Sequence, residues 1–129
     1  MKILCTICVR AGSEGLKNKN FLKVNKKYLL SFTLEKAIKS KIFTDITVTS
    51  DSKKIFTITK KYNDIIVIDR PRKLATNSAS KIDAIKHALH YCEKKKQTKY
   101  DIVFDLEATS ILRETKDIIN AYRFFIKKK

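Results

Sequence analysis

The feature that most constrains this chain is a regular alternation of strand-like and helix-like segments. Four times in succession, a short apolar run rich in β-branched residues is followed by a longer segment whose apolar residues recur at helical spacing. Such alternation is typical of an α/β fold, in which right-handed crossovers give a Rossmann-like, mostly parallel sheet with helices on both faces. Ligands of these sheets bind at the carboxyl ends of the strands. The predicted strands are 3–9, 45–51, 64–68 and 100–106, and the predicted helices are 30–40, 52–62, 81–95 and 116–126.

The loop after the first predicted strand has the composition of a phosphate-binding loop. It contains Gly12 and Gly15, the only two glycines in the chain. Glycine lets a backbone turn sharply or approach a ligand closely, and backbone N–H groups after a first strand commonly hold phosphates in α/β proteins. An ordinary surface loop is the alternative interpretation, because glycine-containing loops are common. The donors around the two glycines are Arg10, Ser13, Lys17, Lys19 and Asn20.

Length and composition indicate a single domain over residues 1–129. A chain of 129 residues with 43% hydrophobic residues can bury a core, and this hydrophobic content argues against intrinsic disorder. No apolar run reaches the length of a membrane span, and the N-terminal run lacks the small-residue cleavage site of a signal peptide. We therefore expect a cytoplasmic protein that does not associate with a membrane.

The net charge of +16 is compatible with several anionic partners. Nucleic acid, an anionic surface and small polyanionic substrates all attract a basic protein. The lysines are spread through every segment, and the aromatic residues mostly occupy apolar periodic positions instead of alternating with basic residues. This pattern disfavours a nucleic-acid groove, and the charge is compatible with polyanionic nucleotides without demonstrating that one binds.

The three cysteines do not form a recognisable framework. Cys5 and Cys8 are three apart within a predicted strand, so their side chains point to opposite faces of the sheet. They therefore cannot easily share a metal ion or a disulfide, and we expect them, like Cys92, to be buried and reduced.

Four polar clusters follow the predicted strands, at residues 10–20, 50–51, 70–80 and 107–113. Together they resemble the acylneuraminate cytidylyltransferases, the CMP-N-acetylneuraminate synthetases. The resemblance consists of a loop R-x-G-S-x-G followed by K-N, a strand ending in S/T-D, an R-P followed by L-A-x-x-x-A-S, and a segment similar to L-x-x-T-S-x-L-R. These four motifs occur in the family's order and extend over nearly the whole chain. They correspond here to residues 10–20, 49–51, 70–80 and 106–113.

The resemblance implies a nucleotide-diphospho-sugar transferase type of fold and transfer of CMP from CTP to a sialic acid or related nonulosonic acid. Arg10 and Lys19 would then be catalytic and face the triphosphate. Thr109 and Ser110 would bind the acceptor sugar. The implied nucleotide-binding residues are Ala11, Gly12, Ser13, Asn20, Arg70, Ala79 and Ser80.

Several positions depart from the family pattern. Glu14 replaces a usual lysine, Lys81 stands where a second serine is common, and Glu107-Ala108 replaces Gln-Pro, while Ile111 replaces a proline. Family members also continue well beyond this length, so the chain resembles an N-terminal portion or a decayed copy. A catalytically weak or inactive nucleotide-binding module is therefore the alternative to an enzyme, and a basic nucleic-acid-associated domain is a third hypothesis.

The resemblance also implies Mg²⁺ as cofactor and leaves a homodimer open, although the family's dimerisation element lies beyond the matching portion. Asp105 and Glu107 are two apart on one predicted strand, so they share a face and are weak candidates for metal ligands. Solvated carboxylates at a strand end are the alternative. His87 and His90 are three apart on a predicted helix, but the sequence offers no nearby third ligand.

Overall fold

The fold was determined from a computed structural model, which describes residues 1–9, 23–70, 81–108 and 114–128. Within these ranges, strands and helices alternate as the sequence predicts. The strands are β1 (Ile3–Val9), β2 (Lys23–Val24), β3 (Lys27–Tyr28), β4 (Asp45–Ser50), β5 (Ile65–Asp69) and β6 (Ile102–Glu107). The helices are α1 (Leu29–Ser40), α2 (Lys54–Thr59), α3 (Lys81–Lys96) and α4 (Thr115–Lys128).

The main sheet has four strands in the order β5-β4-β1-β6, and each pair of neighbours is parallel. β1 lies between two strands, and its burial on both faces explains its nearly continuous apolar sequence. The predicted α/β class and parallel sheet are confirmed.

Helices pack on both faces of this sheet. One face forms a core with α1, α2 and α4 through residues such as Ile7, Leu34 and Ile118. The other face packs Leu4 against Ala88 and Cys92 of α3. Side chains alternate between these faces along β1, so Cys5 lies in the first core and Cys8 points to the α3 side. All three cysteines are free thiols, as expected; Cys5 and Cys92 are buried, whereas Cys8 is only half-buried.

Two local differences from the sequence-based assignment have clear causes. A short antiparallel hairpin formed by β2 and β3 was not predicted as strands, because two residues per strand carry no periodic signal. Its turn residues Asn25 and Lys26 have φ values of 52° and 68°, which is the left-handed geometry of a two-residue hairpin turn. α2 is also shorter than predicted, and Thr59 near its end donates its hydroxyl to the carbonyl of Ile55.

α4 presents exposed apolar side chains beside the edge strand β6. Phe124 and Phe125 are both exposed, while Ile118 near the start of the helix is buried. None of the helices in the described ranges combines the length and the apolar character that crossing a membrane requires.

Candidate functional site

The carboxyl ends of the four parallel strands lie side by side. Val9 at the end of β1 is in register with Ser50 of β4, and Ser50 is in register with Asp69 of β5. On the other side of β1, Cys8 is in register with Glu107 at the end of β6. Because the strands are parallel, the chain leaves all of them at one edge, where this class of sheet binds its ligands.

Arg70 joins three of these strand ends. Its backbone N–H donates to the carbonyl of Ser50 at 2.7 Å, and its side-chain Nη2 donates to the carbonyl of Val9 at 3.1 Å. The side chain thus reaches past β4 to the last residue of β1, directly before the glycine-containing segment. Arg70 is only 3% exposed, so its guanidinium charge is buried at the edge of the sheet where the strands end.

Asp105 and Glu107 share one face of β6, as their spacing predicts, and both contact the ammonium of Lys81. The distance from Lys81 Nζ to Asp105 Oδ2 is 2.9 Å, and Lys81 also forms a close ion pair with Glu107. The other Asp105 oxygen accepts a hydrogen bond from the fully buried hydroxyl of Thr6 at 2.8 Å. We call Thr6, Cys8, Lys81, Asp105 and Glu107 the Lys81 cluster.

The pKa values of both Lys81 and Cys8 are raised within this cluster. Partial burial by itself lowers the pKa of Lys81, but its hydrogen bonds to Glu107 and Asp105 outweigh burial and raise the pKa above its ordinary value. Burial and the nearby charge of Asp105 raise the pKa of the Cys8 thiol to about 11. At neutral pH the cluster therefore holds a protonated lysine and a protonated thiol.

The end of β6 is also fixed from the opposite face of the sheet. Thr33 of α1 donates its hydroxyl to the carbonyl of Ala108 at 3.0 Å, and both residues are buried. Ala108 is the last described residue before the segment that carries the predicted sugar-binding residues. The contact explains why a threonine lies on the buried side of α1.

No pattern in the sequence marks Thr6 or Thr33, and Lys81 stands out there only as a departure from the family pattern. Asp105 offered a signal, because it is a carboxylate between two apolar residues of a strand and such a group needs a partner. Its partner Thr6 is 99 residues away in the chain, and its partner Lys81 lies on a separate helix, α3. Neither pairing can be obtained from periodicity.

Most of the predicted site residues lie outside the described ranges. For these residues, the roles implied by the motifs stay predictions. They are Arg10, Ala11, Gly12, Ser13, Lys19, Asn20, Ala79, Ser80, Thr109 and Ser110.

The described part of the chain contains no group of three or more His, Cys, Asp or Glu side chains placed to hold a metal ion. His87 and His90 lie on α3 without a third ligand in these ranges. Asp105 and Glu107 are close together, but the cation they contact is Lys81.

Comparison with known proteins agrees with this architecture. A family model described as Cytidylyltransferase matches residues 4–126. The chain is 38% identical over 124 residues to the post-translational flagellin modification protein B of Campylobacter coli, an alignment that covers 96% of this chain and 53% of the relative. It is also 38% identical over 124 residues to the N-acylneuraminate cytidylyltransferase of Escherichia coli O18:K1:H7, covering 96% of this chain and 28% of the relative.

A solved structure shows the same fold. The cytidylyltransferase from Leptospira borgpetersenii superposes with a TM-score of 0.72 at 25% identity, and the alignment covers 100% of this chain and 50% of that structure. The chain thus spans about half the length, or less, of these relatives. The match over residues 4–126, together with the parallel sheet and its aligned strand ends, shows that this chain belongs to the cytidylyltransferase family, as its four motifs predict.

Proposed function

We propose that this chain carries the nucleotide-binding portion of a nucleotidyltransferase that transfers CMP from CTP to a sialic acid or related nonulosonic acid. The observation that carries the proposal is the aligned edge formed by β1, β4, β5 and β6, because each of the four motifs begins at or directly after the end of one of these strands. A relative of similar sequence is named an N-acylneuraminate cytidylyltransferase, which supports this substrate class.

In the proposed reaction, a hydroxyl oxygen of the sugar acid forms a bond to the α-phosphorus of CTP. The bond from this phosphorus to the bridging oxygen breaks, pyrophosphate leaves with the electron pair, and the hydroxyl proton is released. The protein contributes mainly by positioning the reactants and neutralising charge. We assign charge neutralisation to Arg10 and Lys19, and contact with the sugar to Thr109 and Ser110.

Arg70 is the described residue that supports the nucleotide assignment most directly. Its buried guanidinium lies at the ligand edge and holds the last carbonyl of β1. In the proposal it orients the start of the loop that carries Ala11, Gly12, Ser13 and Asn20. Ala79 and Ser80 complete the nucleotide site.

Mg²⁺ belongs to the proposal as an ion that would neutralise phosphate charge. The carboxylates of Asp105 and Glu107 do not fit it, because Lys81 contacts both. We therefore assign these two residues no step with a metal ion. A cytoplasmic location and a homodimer are also parts of the proposal.

Release of pyrophosphate from CTP in the presence of N-acetylneuraminate and Mg²⁺ tests the proposed activity. We expect release that requires both substrates and disappears in Arg10→Ala. An active Arg10→Ala variant would contradict the assigned role of Arg10, and release without the sugar acid would contradict the assigned acceptor.

A nucleotide-binding module without turnover is the second candidate. It is favoured by Glu107, a carboxylate held by Lys81 where the family pattern has a glutamine. CTP binding without pyrophosphate release is the result expected of such a module. A nucleic-acid-binding domain would instead show affinity for RNA or DNA that falls steeply with salt concentration.

A further inference from the structure

We propose that Lys81 is the resident cation of the Asp105–Glu107 pair and occupies the place that a divalent metal ion would otherwise take. The inference does not depend on the proposed enzymatic activity. It follows from the arrangement of the Lys81 cluster at the carboxyl edge of the sheet.

The carboxylates have the arrangement of a potential cation site. Asp105 and Glu107 point from the same face of one strand, and Thr6 supplies a hydroxyl beside them. The Asp105 side chain is only 21% exposed, so its charge is poorly solvated and needs a nearby cation. Oxygen ligands of this kind are those that Mg²⁺ and Mn²⁺ prefer.

The ammonium of Lys81 meets this requirement. It lies 2.9 Å from Asp105 Oδ2 and also contacts Glu107, so it bridges the two carboxylates. Thr6 binds the second oxygen of Asp105. A metal ion that bridged the two carboxylates would therefore have to compete with the ammonium for them.

The position of Lys81 on its helix makes the assignment more specific. Lys81 is the first residue of α3, where the helix dipole disfavours a cation and favours acidic residues such as Asp83. A lysine at this end is therefore stabilised by its contacts with β6 and not by its own helix.

Removal of the ammonium should turn the pair into a divalent-ion site. The two carboxylates would then face each other without an intervening positive charge, next to the Thr6 hydroxyl. Their repulsion is relieved either by protonation or by a bound cation. A serine at position 81 leaves room for the ion, whereas an arginine keeps the positive charge.

Binding of Mn²⁺, followed by electron paramagnetic resonance of the free ion, tests the proposal on the whole chain. The variants are Lys81→Ser, Lys81→Met, Lys81→Arg, Asp105→Asn and the double variant Lys81→Ser/Asp105→Asn. We expect Lys81→Ser and Lys81→Met to bind Mn²⁺ at least about tenfold more tightly than the wild type, a difference of about 1.4 kcal/mol. Lys81→Arg should resemble the wild type, and the double variant should lose the added affinity.

Two results would overturn the proposal. One is saturable Mn²⁺ binding to the wild type that Asp105→Asn abolishes, because the pair would then hold a metal despite Lys81. The other is unchanged Mn²⁺ affinity in both folded variants that lack the ammonium. Lys81→Met retains much of the aliphatic stem, so it provides a second folded variant should Lys81→Ser unfold, and circular dichroism monitors folding in each case.

Discussion

Arg70 Nη2 donates a hydrogen bond to the carbonyl oxygen of Val9 at 3.1 Å, although the two residues are 61 positions apart in the chain. Val9 ends the central strand β1, and Arg70 directly follows β5, which lies two strands away. The contact therefore fixes the position of the chain just before the glycine-containing segment. It links the buried sheet to the start of the predicted nucleotide loop.

The Arg70–Val9 contact predicts a loss of stability in Arg70→Met. Methionine retains an apolar stem but cannot donate to the Val9 carbonyl, and a lost hydrogen bond to a charged group costs about 2 kcal/mol. Urea unfolding monitored by circular dichroism measures the difference. The control is Arg123→Met on the exposed side of α4, which should change the free energy of unfolding by less than about 0.5 kcal/mol. Equal effects of the two substitutions would contradict a specific role for Arg70.

The fully buried hydroxyls of Thr6 and Thr49 provide a matched pair. Thr6 donates to Asp105, whereas the Thr49 hydroxyl has no hydrogen-bond partner within the described part of the chain. Thr6→Val should lower the free energy of unfolding by about 1–2 kcal/mol, because it leaves an Asp105 oxygen without its donor. Thr49→Val should be neutral or stabilising, because it removes a buried hydroxyl without breaking a bond. Urea unfolding measures the stability of both variants. A larger loss in the free energy of unfolding for Thr49→Val than for Thr6→Val would contradict this account.

The raised pKa of the Cys8 thiol predicts that the folded protein loses stability at alkaline pH. Burial and the Asp105 charge raise the pKa of the folded thiol from 9.0 to about 11. Between these values the unfolded chain has lost a proton that the folded chain retains, so the contribution of Cys8 is complete below pH 9 and declines as the pH rises to about 11. The free energy of unfolding should therefore fall less steeply over this window in Cys8→Ser than in the wild type. Parallel pH profiles would show that the thiol does not titrate as proposed.

Much of the fold could be predicted because burial determines the sequence pattern of its strands and helices. β1 matches its predicted range, 3–9, since a central strand that is buried on both faces requires an unbroken apolar run. The alternation of strands and helices then gives parallel pairing through right-handed crossovers. α2 was predicted too long, because the polar residues around its ends carry little periodic signal.

The site was less predictable because its contacts join distant parts of the chain. The family motifs identified Arg70 as a candidate and marked Lys81 as unusual, and the two-residue spacing along one strand identified Asp105 and Glu107 as weak candidates. Neither signal could show that Arg70 reaches Val9 or that Lys81 bridges the two carboxylates. Such contacts depend on how α3 and β5 pack against β1 and β6, which no local pattern records.

The most direct test of the proposed nucleotide site is thermal unfolding of the chain with CTP or ATP at equal concentrations. Preferential binding of CTP to the folded state raises the melting temperature more than ATP does. We expect this CTP-specific shift in the wild type and in Arg123→Ala, an exposed-arginine control, and its loss in Arg10→Ala. Equal shifts with the two nucleotides, no shift with CTP, or a full CTP shift in Arg10→Ala would contradict the account.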